Sequence, residues 1–74
     1  VKPKKLWLKY NINDGIIHDA VMKILSSYNG IDEVYIIDKA SNKAYKTNTF
    51  VTIRESLIFE LETIIDKSDL LIQE

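Results

Sequence analysis

The chain carries one histidine, His18, beside Asp19 in a segment with helical spacing. An imidazole can act as a general base or as a metal ligand. A metal site needs several histidines or carboxylates at ligand spacing, and none accompany His18, so it reads as a solvated surface histidine. Asp32, Glu33 and Asp38 lie close to one another in sequence. Paired carboxylates can hold Mg²⁺, but these flank a turn and a strand and read as turn-flanking acids. The chain has no Cys and only two Gly. That excludes a thiolate zinc site, a disulfide framework and a glycine-rich phosphate cradle. No Ser/His/Asp arrangement is present. The sequence thus assigns no catalytic residue, no metal and no cofactor.

Another kind of chemistry is available to Trp7, Tyr45, Lys5, Lys9 and Lys43. Aromatic rings interleaved with lysines on an open sheet stack and neutralise single-stranded nucleic acid. The same rings can instead cover the second face of a sheet or dock on a neighbouring domain. The glycine-and-aromatic signature of RNA-recognition modules is absent, because the strand that carries Tyr45 reads KAYKT.

Positioning these residues requires a particular set of elements. Residues 1–4, VKPK, read as the end of a linker, since Pro3 bars regular pairing. Residues 5–74 form one small domain. In LWLKYNI, Leu6, Leu8, Tyr10 and Ile12 alternate with Trp7, Lys9 and Asn11, the period-two pattern of a strand covered on one face. Asn13 or Asp14 can cap a following helix. Ile17, Ala20, Val21, Ile24 and Tyr28 make its apolar stripe, with Ile16 and Leu25 at the margins. Gly30 would close that helix in the left-handed conformation. Val34 to Ile37 are β-branched or aromatic and form a second strand. A turn around Asn42 returns Ala44 to Thr47 as a third, making a hairpin. Thr52 and Glu55 have capping-box spacing. Leu57, Ile58, Leu61, Ile64 and Ile65 make a second helical stripe, which Ser68-Asp69 ends. Leu70 to Ile72 form a last strand. The order β-α-β-β-α-β predicts an α+β, ferredoxin-like sandwich: a four-stranded antiparallel sheet with two helices on one face and strands 1 and 3 central.

Two residues fall off the stripes. Phe59 lies roughly 160° from the centre of its helix's apolar stripe, at about 100° per residue, and Met22 lies similarly far from the centre of its own. With Leu25 they would form a small outward apolar patch of the kind that contacts partners.

Composition narrows the function classes. At 74 residues the chain holds one domain, with little room for both a core and an enclosed cavity. No apolar run reaches membrane-spanning length, and VKPKK lacks the apolar stretch of a signal peptide. A chain without Cys suits a reducing, cytoplasmic setting. Beginning with Val, it reads as a piece excised from a larger protein, a monomer on its own. Net charge is −1, unlike a globally basic nucleic-acid binder. Residues 1–46 hold eight Lys against five acids, whereas residues 47–74 hold Arg54 and Lys67 against six acids.

The run Leu6-Trp7-Leu8-Lys9, the helix end Ile24-Leu25 with Tyr28-Asn29-Gly30, the strand Val34-Tyr35-Ile36, the connector Phe50-Val51, the helix Leu57, Glu60-Leu61, Ile64 and the closing Leu70-Leu71-Ile72 together resemble a known module. It is the small domain at the C-terminal end of the alpha subunit of bacterial DNA polymerase III, which follows an OB-fold domain. The likeness spans nearly the whole chain after residue 4. It departs from the pattern at Phe50, where a Trp or Tyr is expected, and in lacking a Gly after the second helix.

The resemblance implies a parent that is a DNA-directed DNA polymerase of DNA replication, with its catalytic carboxylates in other domains. This module would be a non-catalytic docking element for a protein such as the clamp-loader tau subunit, joined to the OB fold through Lys2, Lys4 and Lys5. Two competing readings are a single-strand nucleic-acid module using Lys5, Trp7, Lys9, Lys43 and Tyr45, and a small-ligand regulatory domain of ferredoxin-like type. The latter would build its site between two subunits, and Asn13-Asp14-Gly15 only faintly echoes its glycine-rich turn.

Overall fold

Alternation does produce a strand in the first apolar run. In a computed structural model, which describes residues 2–74, strand β1 covers Lys5–Tyr10 and buries Leu6, Leu8 and Tyr10 while Trp7 and Lys9 point the other way. Helix α1 follows at Gly15–Ser26, its N-terminus capped by the Asp14 carboxylate, which accepts from the Ile16 and Ile17 amides. Strand β2 (Asn29–Asp38) and strand β3 (Ala44–Val51) form a hairpin whose turn places Asn42 at φ 59°. That left-handed position suits Asn, whose short side chain tolerates it. Helix α2 covers Glu55–Glu62, a 3₁₀ turn Lys67–Asp69, and strand β4 Leu70–Gln73.

The four strands run in the order β3-β2-β1-β4. Strands β1 and β2 are immediate neighbours and parallel, Leu6 opposite Val34 and Leu8 opposite Ile36. The outer pairings, β1 with β4 and β2 with β3, are antiparallel. The sheet is therefore mixed, and its central pair is β1 and β2, which corrects the expected all-antiparallel sheet with strands 1 and 3 at its centre. Period-two alternation states which face a residue takes; it says nothing about which strand lies alongside. The composition of β3 decides the matter. Lys46-Thr47-Asn48-Thr49 is polar on both faces and half-buried at most, so it belongs at an edge, whereas Val34 and Ile36 belong at the centre.

One core lies between the sheet and both helices. Leu6, Leu8 and Tyr10 of β1, Val34 and Ile36 of β2, Val51 of β3, Val21 and Leu25 of α1, Leu57 and Leu61 of α2, and Ile65 beyond it form a single buried cluster. Both helices thus cover the same face. Helix α1 buries a wider arc than its predicted stripe because it packs on the sheet and beside α2. Leu25, expected at the margin, is fully buried, and Ile16 is exposed.

Two local expectations also change. Gly30 does not close α1 in the left-handed region: no glycine has positive φ, α1 ends at Ser26, and Gly30 belongs to β2. Glycine stands there because the chain leaving β3 passes over it. A Cβ at residue 30 would lie 2.2 Å from Thr52 Oγ1 and 2.6 Å from the Val51 carbonyl carbon. The Thr52/Glu55 capping box does not form either. Arg54 occupies the N-cap of α2 without a side-chain bond, and the Thr52 hydroxyl donates to the Asn29 carbonyl instead. That bond holds the β3 exit against the β2 entry, a tertiary use that outweighs a local cap.

The segment before β1 is tied down as well. The Lys4 amide donates to Asp32 Oδ1 at 2.8 Å, and the Glu33 amide donates to the Lys4 carbonyl. The same Asp32 accepts from the Ile53 amide through its other oxygen at 3.1 Å. One carboxylate therefore braces the chain before β1 to the connector into α2.

Candidate binding face

The helices cover one side of the sheet and leave the other open. Onto that open side β1 projects Lys5, Trp7 and Lys9, and β2 projects Glu33, Tyr35 and Ile37, because the register sets Lys5 opposite Glu33, Trp7 opposite Tyr35 and Lys9 opposite Ile37. The outer strands continue the rows: Lys46 opposite Tyr35, Phe50 opposite Glu33, Leu71 opposite Trp7 and Gln73 opposite Lys5.

The centre of this face is an aromatic pair. The Trp7 and Tyr35 rings stack with centroids 4.5 Å apart and planes 17° from parallel. Neighbouring strands lie at about this spacing, so the pairing follows directly from the parallel register of β1 and β2. Each ring is then fixed by one polar bond. The Trp7 Nε1–H donates to Gln73 Oε1 at 2.9 Å, and the Tyr35 hydroxyl donates to Glu33 Oε1 at 2.9 Å. Lys46 pairs with the second Glu33 oxygen at 3.4 Å. The Lys5 ammonium lies 5.6 Å from the Tyr35 ring centre, within cation–π range.

This network sets the local electrostatics. The Tyr35 hydroxyl holds the Glu33 carboxyl below its ordinary range; partial burial opposes this, while Lys46 and Lys5 reinforce it. The same bond to Glu33 pushes the Tyr35 phenol upward. Glu33 is thus an anion at neutral pH that partly offsets Lys5, Lys9 and Lys46. What remains is a mildly basic surface with apolar margins, since Phe50 is 44% exposed and Leu71 61% exposed. One side-chain bond to each ring holds the pair, from Gln73 of β4 and from Glu33 of β2.

Of the residues proposed for a nucleic-acid face, Lys5, Trp7 and Lys9 share this surface. Tyr45 does not. It lies opposite Ile36, whose side chain is in the core, and so points to the helix side of an edge strand. The aromatic partner of Trp7 is Tyr35, because β2 and not β3 lies beside β1. Lys43 sits in the β2–β3 turn, where its carbonyl accepts from the Asp38 amide, and the strand lysine of the face is Lys46. Tyr35 and Lys46 were legible in principle: Tyr35 has the parity opposite to Val34 and Ile36, so only the strand order was missing.

The expected helix patch does not assemble. Leu25 is fully buried, and Met22 is half-buried against the core. Phe59 alone is outward, 70% exposed, beside a groove lined by Ile53, Ile58 and Ile72.

The residues weighed for catalysis have structural partners. His18 Nδ1 lies 2.8 Å from the Tyr10 hydroxyl, so it is bonded and half-buried rather than a free surface group. Burial pushes the Tyr10 phenol up to about 12. Asp38 is buried; burial pushes its carboxyl up, but hydrogen bonds from the Ala40 amide, the Ser41 hydroxyl and the Ile12 amide outweigh that and hold it below the usual range. It organises the hairpin turn. Among the described residues no three His, Cys, Asp or Glu side chains converge to hold a metal ion, and no helix is long and apolar enough to cross a membrane.

Compared with known protein families, curated proteins and solved structures, the chain matches none of them.

Proposed function

We propose that this chain is a non-catalytic interaction module of the kind found at the C-terminal end of the alpha subunit of bacterial DNA polymerase III, and that it serves DNA replication by docking a protein partner on its open sheet face. The observation that carries the docking surface is the stacked Trp7–Tyr35 pair, each ring hydrogen-bonded, at the centre of a face that neither helix covers. Aromatic residues fixed in one geometry lose little freedom on binding and make strong interface anchors. The surrounding Lys5, Lys9 and Lys46, with Phe50 and Leu71 at the margins, fit an apolar patch edged by acidic groups. The link to the polymerase rests on the sequence resemblance. The clamp-loader tau subunit and the adjacent OB fold are the partners that resemblance suggests.

A second reading has its own observation. Three lysines flank the ring pair, so single-stranded DNA is the natural competitor for the same face. The ring geometry weighs against it. Each ring already covers one face of the other, and Lys5 lies over Tyr35, which leaves little free ring surface for stacked bases.

A ¹H–¹⁵N titration separates the two. The tau C-terminal region should shift Trp7, Tyr35 and Lys46 saturably, and Trp7→Ala should weaken binding about tenfold or more while the fold persists. Oligo-dT shifts on the same residues that fade steeply with salt would replace docking by nucleic-acid binding. No response to either would overturn both readings.

A further inference from the structure

The three lysines of the open face are not equivalent. The Lys5 ammonium lies over the Tyr35 ring, and Lys46 is matched by Glu33 at 3.4 Å. Lys9 has neither kind of partner: among the described residues no carboxylate forms an ion pair with it and no ring lies beneath it. Yet Lys9 is half-buried, whereas Lys5 is exposed. A partly desolvated cation gains most from an anion brought to it, because water screens the pair less there.

Lys9 also lines an apolar hollow. About 550 Å³ of space lies on the open face against Trp7 and Lys9 of β1, Ile37 of β2 and Leu71 of β4. Ile37 is half-buried and Leu71 is 61% exposed, so apolar surface there is left for a partner to cover. One acid, Asp69, reaches the same hollow, but Lys39 already matches it at 2.9 Å. The uncompensated charge of the hollow is therefore the cation of Lys9. Trp7 and Lys9 stand two residues apart on one face of β1, a separation of about 7 Å along the strand.

We infer that this hollow selects an acid-x-apolar motif in an extended segment of a docked protein, the apolar side chain seated against Trp7 and Leu71 and the carboxylate paired with Lys9. Residues two apart in an extended segment point the same way and lie about 7 Å apart, which is the spacing from Trp7 to Lys9. The inference rests on the open face being the docking surface and names the chemistry that surface selects. Charge weighs against a second copy in this place. Two open faces meeting would set Lys5, Lys9 and Lys46 of each against the same three lysines, with one Glu33 apiece to offset them. The hollow opens onto the face instead of enclosing a ligand, so the carboxylate belongs to a docked chain and not to a free acid.

The probes are two acetylated, amidated tripeptides, Glu-Ser-Leu and Gln-Ser-Leu, added at millimolar concentration to the ¹⁵N-labelled domain. They differ by one charge. Glu-Ser-Leu should shift the Trp7 indole and the amides of Lys9, Ile37 and Leu71, and should bind about two- to fivefold more tightly than Gln-Ser-Leu. Lys9→Gln, with its spectrum still dispersed, should erase that preference. Lys23→Gln removes the same charge from helix α1 on the far side of the sheet and should keep it. Equal affinity of the two tripeptides would overturn the inference. So would a preference that survives Lys9→Gln, shifts that miss the hollow, or hexanoate binding as tightly as Glu-Ser-Leu, the mark of a free-acid site. Silence with both tripeptides would sink it too, whereas the docking surface itself falls only if a protein partner also fails to shift Trp7.

Discussion

Gly30 is where one missing carbon decides the local structure. Its φ is ordinary, so the requirement is space. The Val51–Thr52 backbone crosses it, with Thr52 N 2.5 Å from where a Cβ would be. Gly30→Ala must push that backbone aside and strain the bonds from the Thr52 amide to the Tyr28 carbonyl and from its hydroxyl to the Asn29 carbonyl. Urea unfolding should register a loss on the order of 2–3 kcal/mol. Thr52→Ala should not rescue it, since the obstacle includes main-chain atoms; a rescue would place the crowding in the hydroxyl alone. Tyr10 gives a second test at this scale. Its phenol is raised to about 12 in the folded state, against about 10 when exposed. Between those values the unfolded chain loses the proton and the folded chain keeps it, so stability is complete below pH 10 and falls as pH rises toward 12. Tyr35 is shifted in the same direction. Tyr10→Phe should therefore flatten the alkaline decline without abolishing it, as measured by chemical denaturation from pH 9 to 11.5. An unchanged slope would mean that Tyr10 titrates normally.

The two helices differ at their starts, and the difference is measurable. Helix α1 is capped by Asp14, whose carboxylate satisfies two orphan amides. Helix α2 begins at Arg54, which offers none. Asp14→Ala should cost about 1 kcal/mol, while Arg54→Ser should add several tenths of a kcal/mol to about 1 kcal/mol, the gain aided by removing a cation from the positive end of the helix dipole. A destabilised Arg54→Ser variant would show that the arginine side chain packs rather than merely occupies the cap. The uncapped start of α2 borders the groove beside β4.

Across the whole molecule, the parallel β1–β2 pair organises everything else. It places Leu6, Leu8, Val34 and Ile36 in one buried layer beneath both helices and, on the reverse, brings Trp7 against Tyr35. Hydrogen exchange should accordingly be slowest in β1 and β2 and fastest in the short edge strand β4. Cross-strand NOEs should link Leu6 with Val34 and Leu8 with Ile36, and none should link β1 with β3. Contacts between β1 and β3 would restore the ferredoxin-like order and dissolve the Trp7–Tyr35 pair.

Sequence by itself determined the kind and order of the main elements and the two faces of β1, because periodicity and turn chemistry are local properties. Leu6, Leu8, Leu57 and Leu61 were legible as core on that ground, as was Trp7 on the open face and Phe59 pointing outward. Only the tertiary structure decided which strands are neighbours. A β-α-β unit has the same alternation whether its two strands touch or leave room for a third, so the aromatic companion of Trp7 could not be read as Tyr35 rather than Tyr45. Leu25 and Met22 were drawn inward for a similar reason: a helix lying between a sheet and another helix buries more of its circumference than its stripe shows. Gly30, Thr52 and Asp32 answer to residues more than twenty positions away, and such debts are invisible until the chain has folded back on itself.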